Sequence, residues 1–312
     1  MLKYIGIIYQ RWSEEDIKQT FNNFSKRYNY LSIEERLEYY SFFGGIDFGF
    51  DIDFFDNMDD LLSRFLSNID IYRDVISPSY ILESPYRDIL IAVARGDGRL
   101  SNIFKRARYS ESIGRELISQ LEDIGILRLE YSRESPLKIY PKQKIKKSLR
   151  SYRIESKARF LSPFISFWFG FVEPYRSDIY NNKRENFIQN YKRHYDRAVS
   201  LVFEELSNEL IEVYYKDIDP IVSKGGFWDH HSEFDLLCLT HSGKVILGEC
   251  KYRGKKICKN ELNKLKEKAI NSKIKVDIFA LFSKNGFSNE LKHSTDNNLL
   301  LFESKDFKKL EL

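Results

Sequence analysis

The 312-residue sequence predicts an α/β protein whose C-terminal part is a mixed sheet flanked by helices. Two apolar runs, 234–239 and 245–252, are separated by a short loop that contains Gly243, which is the pattern of an antiparallel hairpin. Before this hairpin, residues 187–211 have apolar side chains at helical spacing, and helical and strand patterns alternate after it. Helices and strands that alternate around a central hairpin favour a layered α/β arrangement.

Residues 1–80 have the composition of a helical, acidic region. They contain 8 Lys and Arg residues against 14 Asp and Glu residues, a net charge of −6, although the whole chain has a net charge of +4. The rest of the chain therefore carries a net charge of +10. A positive excess of this size favours partners that carry phosphate groups. We expect the acidic region to be a domain separate from the basic part that follows.

Residues 81–150 show the order of elements of a winged-helix domain. Ser84 predicts the start of a first helix, Leu100–Ala107 has a second helical pattern, and Ser110 is the predicted cap of a third helix. A strand at 127–131, a turn at 132–136 and a second strand at 137–140 follow these helices and would form the wing.

The third helix of such a domain usually enters the major groove of DNA. Here its outward face is mostly acidic, with Glu111, Glu116, Glu122 and Asp123 against a single basic residue, Arg115. A surface of this charge is unsuited to phosphates. We therefore expect nucleic-acid contacts either from the wing and its basic tail or from a basic cluster made of Arg95, Arg99, Lys105, Arg106 and Arg108. A protein-docking role for the domain is equally open.

Residues 151–312 are predicted to form the third domain. Its first apolar and aromatic segment, 160–172, is dense enough in large side chains to be a core rather than a surface that stacks on bases. After the hairpin, the pattern predicts helices at 260–270 and 289–293 and strands at 276–282 and 299–302.

The register of the hairpin decides which side chains meet. If the loop has three residues, Thr240 lies opposite Lys244, and the same register sets Asp235 opposite Glu249. A two-residue loop would pair Asp235 with Cys250 and send the two carboxylates to opposite faces of the sheet. The sequence leaves both registers open.

Two directly opposed carboxylates repel each other unless a cation lies between them. Mg²⁺ is usually held by one or two carboxylates, waters and substrate phosphate, so Asp235 and Glu249 are candidate ligands of Mg²⁺ or Mn²⁺. Lys251 lies on the same face as Glu249 and could orient a water or stabilise charge on a phosphate. The alternative is that both acids are edge-strand charges and that Lys251 only pairs with Glu233.

This arrangement of an Asp on one strand and Glu-X-Lys on the next resembles the PD-(D/E)XK, or restriction-endonuclease-like, nuclease superfamily. The resemblance implies that Asp235, Glu249 and Lys251 are catalytic and that metal is held by Asp235, Glu249 and a glutamate from the preceding helix. Glu204 follows the core residue Phe203, as in the superfamily pattern, and we prefer it to Glu205.

A wider resemblance, from about Ser84 to the C-terminus, is to an uncharacterised C-terminal domain found in archaeal-type P-loop ATPases. It rests on the aromatic run 164–169, on Phe227 and Trp228, and on the segment 281–287. That domain has a nuclease-like core preceded by a winged helix. The sequence contains no G-x-x-x-x-G-K-[ST] motif, so we expect no ATP site in this chain and expect any ATPase partner to be a separate polypeptide.

Basic residues occur in two tracts that could follow a phosphate backbone. The candidate nucleic-acid-binding residues are Lys142, Lys144, Lys146, Lys147 and Arg150 in the first tract and Arg253, Lys255 and Lys256 in the second. A solvated charged surface is the competing interpretation. The second tract directly follows Lys251, beside the candidate site.

The sequence has no apolar stretch long enough for a membrane span, and its N-terminal segment lacks the apolar length of a signal peptide. We therefore expect a cytoplasmic protein without a membrane partner. Its three cysteines have no paired spacing, so we expect neither a disulfide framework nor a zinc site.

Two functions compete at this point. The first is a Mg²⁺-dependent nuclease that hydrolyses phosphodiester bonds in nucleic acid, with DNA as the expected substrate. The second is a non-catalytic nucleic-acid-binding or protein-docking adaptor with a degenerate nuclease fold. Convergence of the carboxylates with Lys251 would discriminate between them.

Overall fold

A computed structural model describes residues 17–45, 50–134, 140, 142–145, 147, 152–230 and 232–311. These residues belong to two compact units. The first unit is drawn from Met1–Glu130 and Lys157–Val202, and the second from Tyr131–Ser156 and Phe203–Leu310. The division into domains at 1–80, 81–150 and 151–312 stays a prediction.

The first unit begins with four helices: α1 (Ile17–Arg27), α2 (Ile33–Phe43), α3 (Met58–Ser67) and α4 (Ile69–Asp74). Capping boxes begin two of them, because Ser32 and Asn57 each accept a backbone N–H from the first turn. In each box a carboxylate, that of Glu35 or Asp60, also accepts the backbone N–H of the cap residue. These bonds satisfy donors that the start of a helix leaves unpaired.

Aromatic side chains form the core of this unit. Phe65 of α3 is fully buried, and its ring contacts Phe167 and Tyr72 at centroid distances of 5.3 and 5.0 Å. The short helix that carries Phe167, α8 (Pro163–Phe167), continues into a π-helical turn, Trp168–Val172. All of its aromatic side chains, from Phe164 to Phe171, are buried, as expected for a core segment.

Three further helices of the first unit are α5 (Tyr86–Ala94), α6 (Leu100–Ala107) and α7 (Glu111–Asp123). Ser110 caps α7 by accepting the N–H of Ile113, as predicted. The next strand, β1 (Leu127–Glu130), pairs antiparallel with β2 (Lys157–Phe160). The sequence did not predict β2 as its partner, and the wing strand predicted at 137–140 lies outside the described residues except for Tyr140.

After a short helix, α9 (Arg176–Tyr180), the long helix α10 (Glu185–Tyr215) begins in the first unit and ends in the second. Its residues Phe203, Leu206 and Leu210 are buried at the predicted helical spacing. Among the described residues, no helix combines the length and the apolar character needed to cross a membrane.

The second unit contains a five-stranded mixed sheet in the order β3-β6-β7-β8-β9. Its strands are β3 (Ile221–Ser223), β6 (Leu236–Thr240), β7 (Val245–Lys251), β8 (Ile278–Ser283) and β9 (Leu299–Glu303). A small separate hairpin joins β4 (Phe227–Trp228) to β5 (Glu233–Phe234). Besides the end of α10, the described part of this unit contains α11 (Lys259–Asn271), α12 (Asn289–Lys292) and, after β9, a 3₁₀ helix at Ser304–Glu311.

The α/β class and a mixed sheet flanked by helices are therefore confirmed. The central pairing also has the three-residue loop: Leu236 lies opposite Gly248, Leu239 lies opposite Val245, and the N–H of Thr240 donates to the carbonyl of Lys244 at 3.0 Å. The β7–β8 and β8–β9 pairs are parallel. The carboxyl end of β7 thus lies at the same edge of the sheet as the carboxyl end of β8.

Replacing Phe65 by alanine should lower the free energy of unfolding by about 3–5 kcal/mol, because it removes a fully buried ring from among aromatic neighbours. Urea unfolding followed by tryptophan fluorescence would measure this. Phe55, whose side chain is 91% exposed, offers the matched control, and Phe55→Ala should change the stability by less than about 0.5 kcal/mol. Similar losses in both variants would contradict this account of the core.

Candidate functional site

Asp235 lies at a break between β5 and β6, within a run that the sequence predicts as one continuous strand. Its Oδ2 accepts the backbone N–H of Cys250 at 2.8 Å. This side-chain oxygen takes the position that a backbone carbonyl oxygen would have in a regular antiparallel pair. This bond interrupts the regular pairing and explains why the strand is divided there. The amide of Asn208 in α10 donates to the Asp235 carbonyl at 3.2 Å and holds the break against the helix.

Glu249 and Lys251 come from β7, the strand opposite Asp235. Because alternate residues share a face, both lie on the face of Leu247, whose side chain packs with Leu262 and Leu265 of α11. Glu249 is 9% exposed, and its Oε1 accepts from the Lys251 Nζ at 2.5 Å. The lysine therefore contacts the carboxylate two residues before it in the same strand.

Lys268 of α11 is a site residue that the sequence analysis missed. Its Nζ lies 3.4 Å from Glu249 Oε2 and 3.4 Å from the Glu233 carbonyl, and 6.0 Å from the centre of the Phe234 ring. One feature of the sequence could have indicated it: Lys268 directly precedes Ala269, and both Ala269 and Leu265 belong to the apolar face of the helix. A residue at the border of an apolar stripe can reach the sheet that the helix covers.

The surroundings of the site raise the pKa values of both Asp235 and Lys251, for different reasons. Burial, followed by repulsion from Glu249, raises the pKa of Asp235 to about 6, although the Cys250 N–H and both lysines act against this rise. Burial lowers the pKa of Lys251, but attraction to Glu249 and Asp235 outweighs it, so the pKa of Lys251 lies above its usual value. The ionised carboxylates therefore favour an additional positive charge.

The two carboxylates could hold a hard divalent cation if waters and a phosphate supply its other ligands. Two carboxylates, with waters and a phosphate completing the coordination, are a common Mg²⁺ arrangement. Within the described residues, no three His, Cys, Asp or Glu side chains are grouped closely enough to hold a metal. The fit is therefore to a cation between Asp235 and Glu249, with its other positions open.

Glu204 is half-buried in α10, near the thiol of Cys250. After burial and the charge of Asp235, the Glu204 carboxylate is the next cause that raises the pKa of this thiol. Cys250 points to the opposite face of β7 from Glu249, because the two residues are adjacent in the strand. Glu204 as the third metal ligand, in preference to Glu205, stays a prediction.

The basic residues predicted to contact nucleic acid are exposed where the structure describes them. This holds for Lys142, Lys144 and Lys147 in the first tract and for Arg253, Lys255 and Lys256 in the second. Lys146 and Arg150 lie outside the described residues. The second tract forms the loop from β7 to α11, so it connects the two elements that supply Lys251 and Lys268.

Residues 168–270 match the DUF234 family model, described as archaeal and bacterial proteins of unknown function. The matched segment contains Asp235, Glu249, Lys251 and Lys268. The description assigns neither a nuclease nor an ATPase activity. Neither the curated proteins nor the solved structures include a match to the chain.

The raised pKa of Asp235 predicts a pH-dependent stability. The stabilisation from its protonated form is complete below about pH 4 and is lost as the pH rises through about 6. Asp235→Asn keeps an oxygen for the Cys250 N–H but removes the charge. In EDTA at pH 8 it should therefore increase the free energy of unfolding, by up to about 3 kcal/mol, and the gain should vanish at pH 4.

Urea unfolding of wild type and variant at both pH values would measure this difference. Asp277→Asn is the matched control, because Asp277 also accepts a backbone N–H, that of Val245 at the other end of β7. The control should lack the stabilisation at pH 8. A loss of stability in Asp235→Asn at pH 8 would contradict the proposed repulsion between the two carboxylates.

Proposed function

We propose that this protein is a metal-dependent nuclease of the PD-(D/E)XK type that hydrolyses phosphodiester bonds in nucleic acid, with DNA as the expected substrate. The observation that carries the proposal is the position of Asp235, which directly precedes β6, accepts the Cys250 N–H and is repelled by Glu249, so that two acids and Lys251 meet at one edge of the sheet. Acids placed this way in buried strands are costly unless a cation compensates them.

In this proposal Asp235 and Glu249 hold Mg²⁺ or Mn²⁺, and the superfamily resemblance adds Glu204. The bound ion supplies stabilisation of negative charge on the phosphate and activation of the attacking water. Lys251 contributes a fixed positive charge at the same place, where it can orient the water or the phosphate oxygen. The contacts of Asp235 with Asn208 and Cys250 hold its carboxylate against the backbone of β7, next to Glu249 in the chain.

A winged-helix assignment for α5, α6, α7, β1 and β2 forms a second part of the proposal. Three helices followed by an antiparallel strand pair support it, and so does the bond from the Ala158 N–H to the carbonyl of Gly98, which links β2 to the segment before α6. The acidic face of α7 argues against base reading by this helix. We therefore assign nucleic-acid binding to the two basic tracts.

The adaptor remains the alternative, and one observation favours it. Glu249 is already neutralised by Lys251 and Lys268 in the absence of a cation, so the same four charges could be a structural ion cluster. An adaptor would bind nucleic acid or a protein, such as a separate ATPase, without cutting. The two functions differ in whether Asp235 is needed for cleavage or only for local structure.

Cleavage assays should discriminate between them. The panel would contain supercoiled, linear and single-stranded DNA and RNA, each with Mg²⁺, Mn²⁺ or EDTA. We expect cutting that requires the metal and that falls about 100-fold or more in Asp235→Asn and in Lys251→Met, because each removes charge stabilisation at the phosphate. Asp277→Asn should cut like wild type. Binding without metal-dependent cutting in any protein would support the adaptor.

The second basic tract should set part of the salt dependence of DNA binding. Replacing Lys255 and Lys256 by alanine should reduce the slope of log K against log salt concentration by about 1.8, since each removes one phosphate contact. The matched control is Lys244→Ala with Lys275→Ala, two exposed lysines that precede β7 and β8 at the opposite end of the sheet. Equal slopes in the two double variants would contradict this assignment.

A further inference from the structure

Both carboxylate oxygens of Glu249 are occupied by lysines. Its Oε1 accepts from Lys251 at 2.5 Å, and its Oε2 contacts Lys268 at 3.4 Å. A divalent cation shared by Asp235 and Glu249 needs at least one of these oxygens. A cation held there would compete with both ammonium groups for the negative charge of this carboxylate.

The two lysines are held unequally. Lys251 makes the shorter contact and is 26% exposed along its side chain, whereas Lys268 is 40% exposed. Lys268 also reaches Glu249 from a different element, α11, at the end of a long flexible side chain. Its contact therefore costs less free energy to break, and Lys268 is the lysine that a cation would displace first.

We propose that Lys268 is an exchangeable counterion of Glu249, which the incoming cation releases and which then binds the phosphate of the substrate. This inference rests on the proposed nuclease function and deepens it. Before the cation binds, the lysine offsets the charge of a buried carboxylate. Afterwards, an ammonium group is left beside the site at the moment when a phosphate can enter.

The surroundings of Lys268 support its second role. Its contacts with the Glu233 carbonyl and the Phe234 ring lie at the strand that leads into Asp235, so the released ammonium stays near the carboxylates. The exposed residues Lys255 and Lys256 stand in the loop that leads to α11.

Lys266 provides a closely matched control on the same helix. Its Nζ lies 3.4 Å from Asp296, its side chain is 41% exposed, and it stands 5.3 Å from the centre of the Phe279 ring. The two lysines therefore share distance, exposure and an aromatic neighbour, and they differ in the carboxylate that they neutralise. Methionine keeps most of the apolar length of either side chain.

The test is calorimetric titration of Mn²⁺ into wild type, Lys268→Met, Lys266→Met and Asp235→Asn, without nucleic acid. Lys268→Met should bind Mn²⁺ roughly threefold to tenfold more tightly, because a competing charge is gone. Lys266→Met should remain within about twofold of wild type. Asp235→Asn should lose the binding.

A second measurement, kcat/KM for cleavage at saturating Mn²⁺, tests the phosphate role. In Lys268→Met it should fall roughly tenfold, since a charge-assisted contact to the phosphate is lost. If the ion pair were merely structural, its removal would not both raise the affinity for the cation and lower kcat/KM. Unchanged cation affinity or unchanged kcat/KM in this variant would overturn the exchange.

Failure of the proposed function is distinguishable from failure of the exchange. If wild type binds no Mn²⁺, or binds it equally in Asp235→Asn, the cation site is wrong and the exchange is overturned with it. If binding depends on Asp235 but is the same in Lys268→Met, the site stands and only the exchange is overturned.

Discussion

The pairing register of β6 with β7 is the constraint on which the site depends. A loop of three residues sets Leu236 opposite Gly248. Asp235 directly precedes Leu236 and accepts the Cys250 N–H, which keeps it beside the segment of β7 that carries Glu249. Because strand side chains alternate between faces, a shift of one residue would move one carboxylate to the other side of the sheet. The two carboxylates would then no longer repel each other, and Lys251 could offset the charge of only one of them.

The charges at this edge form a balanced set rather than a row of independent groups. Asp235 and Glu249 repel each other, while Lys251 and Lys268 offset part of that repulsion. In the proposed function, a bound cation would offset the repulsion that remains. Burial increases the strength of these interactions, because water screens buried charges less.

Local features made the hairpin and the helices predictable from the sequence. The glycine in the loop predicts the hairpin but leaves its register open between loops of two and three residues, and apolar spacing predicts the buried face of α10. Lys268 and Asn208 were not predictable in the same way, because their contacts with Glu249 and Asp235 depend on how helices far along the chain pack on the sheet. The partner of β1 was missed for the same reason.

The central claim, that Asp235 and Glu249 share a cation, is tested most directly by crystals grown with Mn²⁺ and measured at wavelengths that give its anomalous signal. The account predicts an anomalous peak within coordination distance of Asp235 Oδ1 and of a Glu249 carboxylate oxygen, with Lys268 moved away from Glu249. A map without that peak, with both lysines still on Glu249, would contradict it.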